Sequence, residues 1–142
     1  LYAPFVNHIY IVTSGQRPSW LKEHPKITIV PHSIIFKNTS DLPTFNSHAI
    51  EANLHRIPGL SEQYIYLNDD VFFGAPVKPS DFFTASGKMR LYFDHVLSPR
   101  GEATVNESGY FAGWKNTNKL LDRYFGFKLR ASFVHGPFTF KK

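Results

Sequence analysis

The sequence predicts an α/β fold, a mostly parallel sheet with helices packed on it. Three observations lead there. Short runs of β-branched and aromatic residues recur at His8–Thr13 (HIYIVT), Lys26–Val30 (KITIV) and Gln63–Asn68 (QYIYLN). Segments with helical periodicity or capping residues separate them, and strands alternating with helices build layered, largely parallel sheets. Hydrophobic residues make up 42% of the 142, with 14 Phe, which is enough for one domain with its own core.

Each element has a local reason. The first strand ends where Ser14-Gly15-Gln16 breaks the apolar run. Pro18–His24 predicts a short helix, with proline in its first turn and Trp20 and Leu21 facing the core. Pro31 ends the second strand, and Ile34-Ile35-Phe36 is a short apolar segment. Lys37–Thr44 is a polar loop. Asn46 or Ser47 caps a helix running to about Ile57, where Pro58-Gly59 stops it. At 100° per residue Ile50, Leu54 and Ile57 share its core face, and His48, Glu51 and His55 share the opposite one. Gln63–Asn68 is the third strand, Pro79–Phe83 a helical turn, and Lys88–Asp94 (KMRLYFD) a fourth strand. Ser98–Asn106 is a polar, mobile loop. Asn116 or Asn118 caps a last helix through Phe125, with Leu120, Leu121, Tyr124 and Phe125 as its apolar stripe and Gly126 as its end.

Composition excludes several classes. No apolar run approaches the roughly 20 residues that span a bilayer. Cysteine is absent, which excludes disulfides and Cys-ligated zinc and favours a reducing compartment. The chain opens without Met and without the pattern of a signal peptide, so it reads as an excised piece. The sequons at Asn38 and Asn106 are too common by chance to argue for secretion. The net charge of +5 is scattered, with no basic stripe interleaved with aromatics, so nucleic acid is not the expected partner. A modest positive field suits an anionic small substrate or an anionic membrane surface.

The chemistry concentrates at Asn68-Asp69-Asp70, which close the third strand and are followed at once by Val71, Phe72 and Phe73. Adjacent carboxylates repel, and apolar neighbours make their ionised forms costly; a divalent cation relieves both problems. Oxygen ligands of this kind suit Mg²⁺ or Mn²⁺, ions that partner phosphates. The same three residues are also what a plain turn uses, because Asn and Asp bond their own backbone. In parallel sheets ligands bind beyond the carboxyl ends of strands, where Asp69 and Asp70 and also Thr13–Gln16 lie, so both point to one crevice. The His48–Glu51–His55 face offers a sugar or phosphate contact, or the solvated side that every amphipathic helix has. Arg56 grips a phosphate or lies along the helix surface. His135, in FVHGPF, is a poised base or a core histidine bonded to a carbonyl.

Longer strings are more specific. Ile9–Gln16, Pro18–Leu21, Leu42–Glu51 (LPTFNSHAIE), Leu54–Leu60 (LHRIPGL) and Tyr66–Gly74 (YLNDDVFFG) together resemble the Stealth family of sugar-1-phosphate transferases. That family contains bacterial capsule polymerases and the animal lysosomal-enzyme N-acetylglucosamine-1-phosphotransferase. Residues 1–85 resemble its second conserved region, 86–134 a variable connector, and 135–142, opening on His135-Gly136-Pro137-Phe138, the start of its third. The first and fourth regions have no counterpart here, so the chain resembles the central part of one nucleotide-sugar-transferase-like catalytic domain.

The resemblance implies transfer of a hexose-1-phosphate, an N-acetylhexosamine-1-phosphate such as that of UDP-GlcNAc, from a UDP-sugar to a sugar or glycan acceptor in capsular or exopolysaccharide synthesis. It implies Mg²⁺ or Mn²⁺ at Asp69 and Asp70, His135 as base or phosphate contact, and Asn46, Ser47, His48, Glu51, Arg56 and Asn68 as substrate-binding residues. A bacterial member would work in the cytoplasm, peripherally at the inner face of the membrane; an animal-type member would work in the Golgi lumen. Two rivals share the residues: a metal-dependent glycosyltransferase that releases UDP, and a non-catalytic sugar-binding module.

Overall fold

The computed structural model describes residues 2–142. The chain divides into two compact units, the first comprising residues up to Arg90 with Pro137–Lys142, the second Leu91–Gly136.

Unit one opens with strand β1 (Ile9–Thr13), which pairs in parallel with β2 (Ile27–Pro31), Ile9 opposite Ile27 and Val12 opposite Val30. The helix expected at Pro18–His24 does not form. A single turn, closed from Leu21 N–H to the Pro18 carbonyl at 3.0 Å, takes its place, and Trp20 is 75% exposed. So short a segment gains too few hydrogen bonds to offset helix nucleation, and Pro25 biases His24 away from helical angles. The apolar segment at 34–36 is covered by a one-turn helix, α1 (His32–Ile35), whose Ile35 is fully buried.

Helix α2 (Ser47–Asn53) runs on as a 3-10 turn at Leu54–Arg56. Its phase is the expected one. Leu54 and Ile57 join Val30, Ile35 and Phe36 in the buried core, and Ile50, Tyr10, Val12, Tyr64 and Tyr66 pack around them. Each such side chain contributes about 1.5–3 kcal/mol when fully buried. Gly59 ends the segment at φ +76°, and a Cβ there would come within 3.1 Å of the Tyr10 hydroxyl.

Strand β3 (Gln63–Tyr66) lies antiparallel to the strand at Phe138–Lys141, Tyr66 opposite Phe138 and Gln63 opposite Lys141. A 3-10 turn at Pro79–Asp81 matches the expected helical turn and sets Phe82 in the core beside Phe5 and Phe73. The segment Lys88–Arg90, expected within a fourth strand, instead folds back on Phe82–Thr84, with Arg90 N–H bonded to the Phe82 carbonyl at 2.8 Å.

Unit two holds β4 (Phe93–Leu97), β5 (Ala131–Phe133) and α3 (Gly109–Phe125); the unit-one strand at Phe138–Lys141 is therefore β6. β4 and β5 are antiparallel, and Phe93 stacks on Phe133 at 4.9 Å. α3 starts earlier than its expected cap at Asn116 or Asn118. Ser108 is the cap, its Oγ accepting from Phe111 N–H, and Asn118 is buried inside the helix, donating to Ser98 Oγ at 2.8 Å and the Pro99 carbonyl at 2.9 Å. The expected stripe is rotated: Leu120, Tyr124 and Phe125 are exposed, and Trp114 meets Phe133 at 6.0 Å. Asp122 accepts from Arg130 at 2.7 Å and also pairs with Arg100, and these bonds, Arg130's first, hold its carboxyl below the ordinary value. A cavity of about 470 Å³ is lined by Phe93, Trp114, Asn118, Leu121, Arg130 and Phe133.

Helices and small sheets thus give a mixed α/β architecture. Of the three strand pairs among the described residues, β1–β2 is parallel and the other two are antiparallel.

Candidate functional site

β3 runs out at Tyr66, and the next four residues carry the chemistry. Asn68 and Val71 close a turn, Val71 N–H bonding the Asn68 carbonyl at 3.1 Å. Asp69 and Asp70 sit on this turn and are exposed, as is Phe72 at 81%. The expectation that the acids are hemmed in by apolar residues is therefore corrected. Only Val71 and Phe73 turn inward, and the carboxylates keep their water.

The half-buried partner of this turn is Tyr66. Its hydroxyl donates to Asn68 Oδ1 at 2.8 Å. Its ring is stacked on Phe138 at 6.5 Å and tilted against Phe140 at 6.1 Å, both on β6. Burial pushes the phenol up to about 12, and the charges of Glu51, Asp69 and Asp70 add to the shift. Three carboxylates on two segments therefore act on one hydroxyl. Glu51 arrives from α2, half-buried, and burial raises its carboxyl above the ordinary value against the opposing pull of His48. Glu51 also raises the phenol of Tyr64, after burial.

The other residues singled out by sequence are arranged as follows. Asn46 is the cap of α2, its Oδ1 accepting from His48 N–H at 3.0 Å and Ala49 N–H at 3.3 Å. Ser47 opens the helix, and Ser47, His48, His55 and Arg56 are exposed. At the end of β1 the loop closes on itself: Thr13 Oγ1 donates to the Gln16 carbonyl and accepts from Gly15 N–H, with Gly15 at φ +114°. A cleft of about 490 Å³ lies along β2, lined by Arg17, Lys22, Glu23, His24, Ile27 and Ile29, and neither Asp69 nor Asp70 borders it. His135 is exposed, on the connection between β5 and β6, and belongs to unit two, whereas the acids belong to unit one.

Sequence reasoning missed Tyr66 and β6. The signal for β6 was the alternation in Phe138-Thr139-Phe140, whose two rings take one face while Thr139 is buried on the other.

The donor set suits a hard cation. Among the described residues no group of three or more His, Cys, Asp or Glu side chains is gathered to hold a metal. Two adjacent, solvated carboxylates are what Mg²⁺ accepts from a protein when waters and substrate phosphates complete its shell. No helix among the described residues is long and apolar enough to cross a membrane.

Residues 1–91 match the conserved region 2 of Stealth proteins. The chain belongs to the Stealth protein family. It is 47% identical to an exopolysaccharide phosphotransferase of Streptomyces coelicolor, over 100% of this chain and 15% of that protein. A second Streptomyces coelicolor exopolysaccharide phosphotransferase is 45% identical over 99% of the chain and 24% of its own length. The exopolysaccharide phosphotransferase CpsY of Mycobacterium leprae is 41% identical over 100% of the chain and 26% of its own length. The chain thus spans about a quarter or less of these relatives.

Proposed function

We propose that the chain carries the donor-handling part of a sugar-1-phosphate transferase of exopolysaccharide synthesis. The substrate is a UDP-sugar, with an N-acetylhexosamine such as that of UDP-GlcNAc as the expected sugar. The acceptor is a glycan hydroxyl. Its oxygen forms a bond to the phosphorus that bears the sugar, the bond from that phosphorus to the UMP oxygen breaks, and UMP leaves with the electron pair. The acceptor proton passes to a base, for which His135 is the candidate. The product is a phosphodiester.

The observation that carries this reading is the pair Asp69 and Asp70, exposed on the turn that follows β3 with Asn68 beside them. Family membership and the names of the relatives support it. Asp69 and Asp70 would hold Mg²⁺ or Mn²⁺, which when bound neutralises charge on the diphosphate. Asn68 would contact the phosphates or sugar from the same turn. Asn46, Ser47, His48, Glu51 and Arg56 would line the approach from α2 and the turn after it. The fold of the whole domain would be nucleotide-sugar-transferase-like, with β1–β2 as the part of its parallel sheet carried here. The place of work would be the cytoplasmic face of a bacterial membrane.

The nucleotide product tests the reading. The chain with both flanking regions present, given UDP-GlcNAc, Mg²⁺ and a glycan acceptor, should release UMP. Release of UDP with a new glycosidic bond would establish the glycosyltransferase instead.

A further inference from the structure

We propose that Tyr66 is a positioning residue: it holds the oxygen of the Asn68 carboxamide, so that Asn68 meets the substrate through its NH₂ group, as a hydrogen-bond donor to a phosphate or sugar oxygen. The inference rests on the reading of the Asn68–Asp70 turn as the diphosphate site.

The geometry begins with the ring. Tyr66 pairs with Phe138 across β3–β6 and is packed between Phe138 and Phe140. Two strands therefore fix where its hydroxyl ends, next to Asn68 Oδ1 at 2.8 Å. A phenol donates one proton and a carboxamide carries one acceptor and two donors. Engaging the oxygen leaves the NH₂ group for other partners. The reverse polarity would need a rotated amide, its NH₂ group then donating to the phenol oxygen. A phenolate at Tyr66 is disfavoured first by burial of the ring. As the ring is held against β6, its hydroxyl donates to Asn68 Oδ1, and the amide oxygen is the atom engaged.

The chemical consequence concerns the substrate side of the turn. Asp69 and Asp70 present only acceptors there when ionised, and the oxygens of a diphosphate are acceptors too. A cation answers the carboxylates, yet it does not orient a sugar or a non-bridging oxygen that lies beside it. A neutral donor fixed in the same turn does. With its oxygen held by Tyr66, Asn68 is that donor rather than a third metal ligand. Donors set in advance where charge accumulates are the commonest way a site stabilises a transferring group.

Tyr66→Phe is the discriminating variant, because it keeps the ring and its packing against β6 and removes one bond. In the chain with both flanks present, kcat/KM for UMP release should fall roughly 5-fold, the equivalent of one hydrogen bond of about 1 kcal/mol. The thermal midpoint should stay near that of the parent. Asn68→Ala should fall further, and adding Tyr66→Phe to it should cost nothing more, since the two act as one unit. In the purified chain the side-chain NH₂ signals of Asn68, recognised by their loss in Asn68→Ala, should shift on Tyr66→Phe and on addition of UDP. Additive losses, an unchanged rate in Tyr66→Phe, or NH₂ signals that ignore either change would overturn the inference. Asp70→Asn separates it from the site reading. Full activity in Asp70→Asn would remove the diphosphate site itself, whereas an inactive Asp70→Asn beside a normal Tyr66→Phe would remove only the role of Tyr66.

Discussion

Tyr66 and His32 both pack in the core region of unit one, and burial moves their titrations in opposite directions, each toward its neutral form. Desolvation penalises whichever form is charged, so the phenol rises and the imidazole falls. His32 is buried against Phe36, and its Nδ1 has no hydrogen-bond partner among the described residues. The folded chain holds it below its ordinary 6.5, so as pH falls the unfolded chain takes up a proton first. Stability from this residue is complete above the ordinary value and is lost as acid carries the pH down toward the folded value. Urea midpoints measured at about pH 7.5 and about pH 5.5 should drop more steeply in the parent than in His32→Phe. Equal drops would remove the effect. At this scale the acids were legible in the sequence, because Asn68-Asp69-Asp70 is a local string. Tyr66 was not, because its role depends on Glu51 from α2 and two rings from β6, and no local pattern carries that.

Elements were legible where one periodicity decided them. α2 was read with the right phase because Ile50, Leu54 and Ile57 form an unbroken stripe and Asn46 supplies an accepting side chain at its start. That start gives Asn46 a structural duty alongside its proposed contact with substrate. Asn46→Ala should destabilise the chain by about 1 kcal/mol, and Asn46→Asp, which can still accept from the same backbone N–H groups, should restore most of it. If UMP release recovers together with stability in Asn46→Asp, the cap is what the reaction needs. Recovery of stability without activity would assign Asn46 a direct contact with substrate. The misread elements failed for stated reasons. Pro25 cut short a helix at Pro18–His24, a buried Asn118 inside α3 imitated a cap, and the run at Lys88–Asp94 is shared between two partners, Phe82–Thr84 and β5. Partner choice is a tertiary matter, and hydrophobic pattern alone does not settle it.

At the scale of the molecule, unit two is an insertion in the sequence of unit one. The chain leaves unit one at Arg90 and returns at Pro137, and Thr139 Oγ1 donates to the Arg90 carbonyl at 2.9 Å, so exit and re-entry lie together. Adjacent ends are the condition under which insertions are tolerated. Replacing 91–136 by a short Gly/Ser linker should leave unit one folded, with the β3–β6 amides still slow to exchange in hydrogen-exchange NMR. Loss of that protection would show that unit one depends on its insertion. The mixed α/β character was legible from alternating strands and helical segments. The division into three two-stranded sheets was not, because β3 finds its partner at the far end of the chain. That pairing also sets an order of events during synthesis. The ribosome delivers Asp69 and Asp70 early, while Phe138 and Phe140 follow tens of residues later. At roughly 5–20 residues per second β3 waits for several seconds with an open edge. A nascent or prematurely ended chain therefore displays the acids without the strand that anchors Tyr66, and the turn reaches its final geometry only when translation has passed β6.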